Sequence, residues 1–380
     1  MKFNKRISIS KPLLGKEEKD LALKAISDGH ISGTAGNFVG RFEKEFAHFC
    51  GCMYGIATPS GATALHLALA TLNIGSGDEV LVPSFTNMAA FFAVHYLGAT
   101  PIPVDIEPDT LNINPNLIEK RITSHTKAIL IVHLYGHPAD MNPISKIARK
   151  HKLFLIEDGA EAHGAEYKGK KVGSLSDVGC FSFYANKIIT TGEGGMVVTN
   201  DRNLAERARA LGSMAYGRDN RFEHTDVGFS YRMSNVLAAI GCAQIKKAEN
   251  TIKIKRAMAD FYNRELAGTK GLQLPQEKAY AKNVYWVYHL ILQEPLTGLR
   301  EKIMKVLSGA GIDVRETFIP YHEQTMSVKK GFTCLNDYPV ASYVGQNGFY
   351  LPCYPGLKRS DQKYITNILK SAINAGDKEI

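Results

Sequence analysis

Three short stretches of this 380-residue chain carry residue types that can do chemistry. In Leu153-Phe154-Leu155-Ile156-Glu157-Asp158 an apolar run ends in two carboxylates. If the run is a strand, Asp158 lies beyond its end, where it can face a crevice. A buried carboxylate needs a cationic partner, and a protonated pyridine ring is one. Taken alone, the residue reads more readily as a turn or N-cap aspartate. In Cys180-Phe181-Ser182-Phe183-Tyr184-Ala185-Asn186-Lys187-Ile188-Ile189 a single lysine sits in apolar surroundings, followed by Thr190-Thr191-Gly192-Glu193-Gly194-Gly195. Such a lysine has a depressed pKa, which makes it a nucleophile able to form a Schiff base. The glycines allow a cramped backbone beside it. A surface lysine in a hairpin is the plainer alternative, and the apolar flanks weigh against it. In Thr58-Pro59-Ser60-Gly61-Ala62-Thr63-Ala64-Leu65-His66 small residues lead into a helix whose free N–H groups suit a phosphate, though any capped helix start looks similar.

These residues must be positioned by the elements around them. The first two-thirds of the chain alternates strand-like runs (54–58, 79–83, 101–105, 127–133, 153–157) with helix-like runs (61–72, 86–97, 114–122, 144–152). That pattern predicts a mostly parallel α/β sheet with helices on both faces. Ligands of such sheets sit beyond the carboxyl ends of the strands, where Asp158 and Lys187 would lie. Two more apolar runs, 180–184 and 196–199, enclose the glycine-rich turn. Residues 233–266 read as one long connector helix, and 284–292 as a strand. Residues 300–309 and 361–372 read as helices. A large domain, 1–249, and a smaller C-terminal α+β domain, 250–380, are therefore expected.

Several functions are disfavoured. The chain has no Gly-x-x-x-x-Gly-Lys-Ser/Thr loop and no complete Gly-x-Gly-x-x-Gly, since Gly75-Ser76-Gly77 and Gly192-Glu193-Gly194 both lack the third glycine. His322-Glu323 has no second histidine at Met326. Six cysteines, Cys50, Cys52, Cys180, Cys242, Cys334 and Cys353, show no paired zinc knuckles, so no metal is expected and a reduced, cytoplasmic protein is the simplest account. The first residues have no continuous apolar core of a signal peptide. With 44% hydrophobic and 22% charged residues the composition is globular. The net charge of +9 is spread along the chain and argues against a nucleic-acid tract, while suiting an anionic small substrate.

Together and in this order, the three stretches resemble the sugar aminotransferases of the DegT/StrS family. The likeness runs from Ile31-Ser32-Gly33 and Arg41-Phe42-Glu43 to Leu351-Pro352, and is most specific over 157–199. It implies the aspartate-aminotransferase-like fold (fold type I), pyridoxal 5′-phosphate (PLP) as cofactor, and a homodimer with shared active sites. By the same resemblance Lys187 binds PLP and shuttles the proton, and Asp158 pairs with the pyridine nitrogen. Ser182, Gly61 and Ala62 hold the phosphate. Glu161 lies beside the cofactor ring, His322 near the sugar, and Ser230 and Arg232 in the segment that reaches the neighbouring subunit's site.

Three positions depart from the family pattern. Many relatives read Asn-Gly-Thr where this chain has Ser60-Gly61-Ala62, so a phosphate-binding hydroxyl is missing or moved to Thr63. Many stack an aromatic residue on the ring where this chain has Asn87. Many supply an asparagine to the partner's phosphate where this chain has Ser230.

The resemblance also implies a reaction: L-glutamate gives its amino group to a nucleotide-linked keto sugar. The turn after Lys187 is similar to that of members that aminate C4 of 4-keto-6-deoxy sugars. Glu161, with His133-Leu134-Tyr135-Gly136-His137-Pro138, is most similar to the members that form GDP-perosamine from GDP-4-keto-6-deoxymannose. A UDP- or dTDP-linked sugar is the alternative. Retention of Lys187 and Asp158 speaks against a non-catalytic regulator, and against the dehydratases of this family, which replace the lysine with histidine.

Overall fold

The structure is a computed structural model describing residues 6–216, 222–331 and 337–376. Cys334 lies outside the described residues. Seven strands form the central sheet: β1 Tyr54–Thr58, β2 Glu79–Pro83, β3 Thr100–Val104, β4 Thr126–Val132, β5 Phe154–Asp158, β6 Val178–Ser182 and β7 Gly195–Thr199. Their order is β1-β7-β6-β5-β4-β2-β3. All pairs are parallel except those of β7, which runs antiparallel to both β1 and β6. The reversal follows from the connection between β6 and β7, which is a hairpin-like loop rather than a crossover helix. That loop carries Lys187. It projects from the carboxyl end of β6, the edge at which β4, β5 and β1 also end.

The strands are near-continuous apolar runs because both faces are covered. One side packs Phe42, Phe46, Phe181 and Phe183, and the other packs Leu81, Ile129, Ile131 and Ile144. A separate core gathers Met258, Tyr262, Tyr288, Leu307, Phe349 and Leu369, with Ile7 from the N-terminal segment. A small antiparallel sheet, β8 Leu272–Gln273, β9 Tyr288–Leu292, β10 Arg315–Glu316 and β11 Gly348–Leu351, crosses it in the order β8-β9-β11-β10. On these two cores we propose the division at residues 249/250, with Ile7 anchoring the first residues to the second unit through the Ile7 N–H to Gly311 carbonyl bond of 2.9 Å.

Three elements differ from the sequence reading. The long helical run breaks into Asn235–Gln244, a 3₁₀ turn Ile245–Lys247, and Ala248–Leu266. No proline or glycine marks the break. It coincides with side-chain bonds from Gln244 and Lys247 to Glu18. The helix expected over 86–97 begins only at Ala89, because the Asn87 side chain accepts the Ala89 N–H at 3.0 Å and turns the chain. The strand expected from 284 begins at Tyr288. Val284 and Trp286 spend their N–H groups on the carbonyls of Gly136 and Tyr135 instead.

Candidate active site

A cavity of about 370 Å³ opens at the carboxyl edge of the sheet. It brings together Gly61, Ala62, Asn87, Asp158, Glu161, Ser182 and Lys187. A larger open groove of about 850 Å³, lined by His48, Lys171 and Lys246 among others, lies elsewhere. It contains neither Lys187 nor either of the buried acids beside it.

The two carboxylates ending β5 take different roles because successive strand residues face opposite ways. Glu157 is fully buried and satisfied within the protein. It accepts the N–H groups of Gly173 and Leu175 and the Ser176 hydroxyl, each at 2.8 Å. It also accepts His133 Nε2–H at 2.9 Å, the His133 tautomer being set by Nδ1 accepting the Ala139 N–H. Glu157 therefore ties β5 to its neighbours. Asp158 faces the cavity, its Oδ1 accepting the Ala160 N–H at 3.0 Å. Burial raises its pKa, offset in part by the Ala160 N–H, Lys187 and His133. It is an acid short of cationic compensation.

Alternation along β6 prepares the lysine loop in the same way. Phe181 and Phe183 pack on Phe46 with ring centroids 4.9 and 4.8 Å apart, and each such buried ring contributes roughly 1.5–3 kcal/mol. Ser182 is left on the opposite face, against the start of the helix Gly61–Thr71. A Cβ at position 61 would lie 2.6 Å from Ser182 Cβ, so only glycine permits this approach. The loop is closed by Phe183 N–H to Gly194 carbonyl and Thr191 N–H to Phe183 carbonyl bonds, and Lys187 N–H donates to Tyr184 carbonyl.

The Lys187 side chain is only 11% exposed. Its Nζ lies 3.8 Å from Glu161 Oε1 and 3.7 Å from the centroid of the Trp286 ring. Burial lowers its pKa, against the opposing pull of Glu161 and Asp158. An amine that sheds its proton easily is a competent nucleophile.

The donor set fits PLP. A buried, under-compensated carboxylate awaits a pyridinium, and a largely buried amine awaits an aldehyde. The helix start awaits a phosphate. Ser60 and Thr63 cap one another there, Thr63 N–H donating to Ser60 Oγ at 3.2 Å and Ser60 N–H to Thr63 Oγ1 at 3.0 Å. The first N–H groups of a helix have no intrahelical partner, so Gly61 and Ala62 keep theirs for a ligand. Thr63 is occupied in the cap and does not line the cavity, so the hydroxyl missing at Ala62 has not moved there.

Three expected site residues do not line this cavity. His322 is fully buried, packed on Tyr338 with its Nε2 at 2.8 Å from Ser342 Oγ, and is not a cavity residue. Ser230 and Arg232 are joined to each other at 3.1 Å on the surface of this chain and do not line its cavity. Conversely Trp286, Phe318 and Tyr350, which the sequence reading did not single out, form a wall of the cavity. They come from the second unit, 99 to 163 residues beyond Lys187. The one available signal was composition: Trp286 is the only tryptophan of the chain. Its indole N–H donates to the Asn186 carbonyl at 2.9 Å, clamping the residue before Lys187. Among the described residues no cluster of histidine, cysteine and acidic groups could hold a metal, and no helix is long and apolar enough to cross a membrane.

The chain matches the family described as DegT/DnrJ/EryC1/StrS aminotransferase over residues 13–370. It is 42% identical to the GDP-perosamine synthase of Caulobacter vibrioides, covering 94% of this chain and 95% of that protein. It is 39% identical to that of Escherichia coli O157:H7, covering 95% and 97%. Among solved structures, DesV of S. venezuelae superposes with a TM-score of 0.89 at 33% identity, covering 94% of each chain.

Proposed function

The chain belongs to the DegT/DnrJ/EryC1/StrS aminotransferase family, whose members are PLP-dependent sugar aminotransferases, and on that premise we propose that it makes GDP-perosamine. In this reading it moves the amino group of L-glutamate to C4 of GDP-4-keto-6-deoxymannose. The carrying observation is the cavity in which Lys187 Nζ meets two buried acids below a helix N-terminus. The choice of sugar is supported by the GDP-perosamine synthases at 35–42% identity over most of the chain.

When bound, PLP supplies an electron sink for the carbon that loses its proton. Lys187 holds the cofactor through Nζ and, once free, moves the proton to and from substrate carbon at the same atom. Asp158 keeps the pyridine nitrogen protonated. The N–H groups of Gly61 and Ala62 and the Ser182 hydroxyl hold the phosphate. Asn87 lines the cavity without offering the ring a flat aromatic face. Phe318 and Tyr350 give an apolar wall that suits the methyl group of a 6-deoxy sugar. The site excludes water from Lys187 through Trp286, which covers the amine.

The deciding experiment offers purified enzyme GDP-, UDP- and dTDP-linked 4-keto-6-deoxy sugars with glutamate and reads the products by mass spectrometry. The GDP-linked amino sugar should form fastest. Faster conversion of the UDP- or dTDP-linked sugar would overturn the choice of nucleotide.

A homodimer with shared sites belongs to the same reading. Ser230 and Arg232 do not line their own cavity, which agrees with a place at the partner's phosphate, where Arg232 would bring a permanent charge. Mixing inactive Lys187→Ala with inactive Arg232→Ala and allowing exchange should restore activity. Each mixed dimer then holds one intact site, and random exchange returns about a quarter of native activity. No recovery despite proven exchange would show that each site is built from one chain.

A further inference from the structure

The site holds one more buried acid than the roles above require. Asp158 is committed to the pyridine nitrogen, yet Glu161 is equally interior, 5% exposed, and also lines the cavity. Its two oxygens are differently placed. Oε2 accepts the Tyr135 N–H at 2.8 Å, which fixes the side chain. Oε1 faces Lys187 Nζ at 3.8 Å, a gap that a small side-chain rotation or one water closes. Tyr135 itself is held in a left-handed turn (φ 54°) after β4, so the anchor is a fixed backbone group.

We propose that Glu161 is the proton-holding partner of Lys187, exchanging a proton with the lysine amine each time that amine leaves or regains the cofactor. The inference rests on the reading of Lys187 given above, and concerns the glutamate half of the reaction only. In the forward sense a proton passes from the Lys187 ammonium to Glu161 Oε1. The N–H bond breaks, an O–H bond forms, and the nitrogen keeps its electron pair for the substrate carbon's proton. The reverse transfer restores ammonium and carboxylate, so nothing else is consumed.

The charge balance supports the assignment. The titratable groups facing Glu161 are Lys187 from the β6–β7 loop, Asp158 from β5, and the phenols of Tyr135 and Tyr350. One ammonium cannot neutralise two buried carboxylates, and Asp158 has a second cationic partner in the bound pyridinium. Glu161 is thus the acid left to carry a proton. Burial, with Asp158 adding, pushes it up to about 7 against the opposing effects of Lys187 and the Tyr135 N–H. An acid poised there gives and takes protons at little cost near neutral pH.

Glu161→Gln is the test, because an amide oxygen still accepts the Tyr135 N–H while the group cannot titrate. The measurements are the visible absorbance of the loaded enzyme across pH and the pH profile of the glutamate half-reaction in single turnover. Native enzyme should gain rate as pH rises through about 7, where Glu161 becomes a carboxylate able to accept the proton. The variant should keep its absorbance band, lose that inflection and slow by about 10²-fold. A retained inflection would overturn the proposal. So would loss of the band, which would show that Glu161 serves only to hold the site together. Neither readout involves the sugar, so an error in the nucleotide leaves this test intact. An error about Lys187 shows separately, as a band that persists in Lys187→Ala.

Discussion

Lys187→Ala is expected to abolish amino transfer, by about 10⁴-fold or more, and to remove the absorbance band of covalently held cofactor. No other amine can replace it. Among the groups lining the cavity, Lys187 is the single lysine, and Trp286 closes the space above it. The fold should survive. The loop is held by backbone bonds at Phe183, Thr191 and Lys187 N–H, which alanine retains, and by Ile188 and Ile189 in the core. Loss of the ammonium leaves Asp158 and Glu161 without their nearest cation, and both respond by holding protons more tightly. The circular dichroism spectrum should therefore match the parent while the absorbance band of the covalently held cofactor disappears. Normal turnover by the purified variant would remove Lys187 from the mechanism.

The sequence revealed this half of the site because its chemistry is local. An apolar strand ending in Asp158 and a lysine between apolar residues and glycines each announce themselves within ten residues. Parallel strands alternating with helices bring their carboxyl ends to one edge, so the meeting of Asp158, Lys187 and Gly61 could be anticipated from order alone. What was hidden depends on contacts far apart in the chain. Trp286 reaches the cavity because its segment pairs with Gly136 and Tyr135 rather than continuing β9, a choice that no local pattern encodes. Glu157 and Asp158 are neighbours with opposite duties, and only the donors Gly173, Leu175 and Ser176 show which one is spent on structure. His322 was placed by resemblance in its segment, but its burial against Tyr338 and Ser342 is a matter of packing within the second unit.

Asp158→Asn should leave the cofactor bound yet slow proton removal from glutamate by about 10²–10³-fold, equivalent to roughly 3–4 kcal/mol of transition-state stabilisation. The substitution is nearly isosteric. An asparagine Oδ1 can still accept the Ala160 N–H, so the turn after β5 is preserved. Lys187 and the Gly61–Ala62 helix start remain to hold the cofactor at both ends. What is lost is a negative charge at the place where a protonated ring nitrogen must be kept. Burial already presses Asp158 toward its neutral form, so the native site depends on that cation to keep the carboxylate ionised, and the dependence is mutual. An amide gives no such return. The nitrogen then sheds its proton, and the ring draws electrons less strongly from the substrate carbon. The consequence is specific to the step that moves the proton, so binding of glutamate should change much less than the single-turnover rate. The decisive comparison is that rate in parent and variant at saturating glutamate with equal cofactor content. Equal rates would show that Asp158 shapes the turn at the end of β5 and has no part in holding the ring nitrogen's proton.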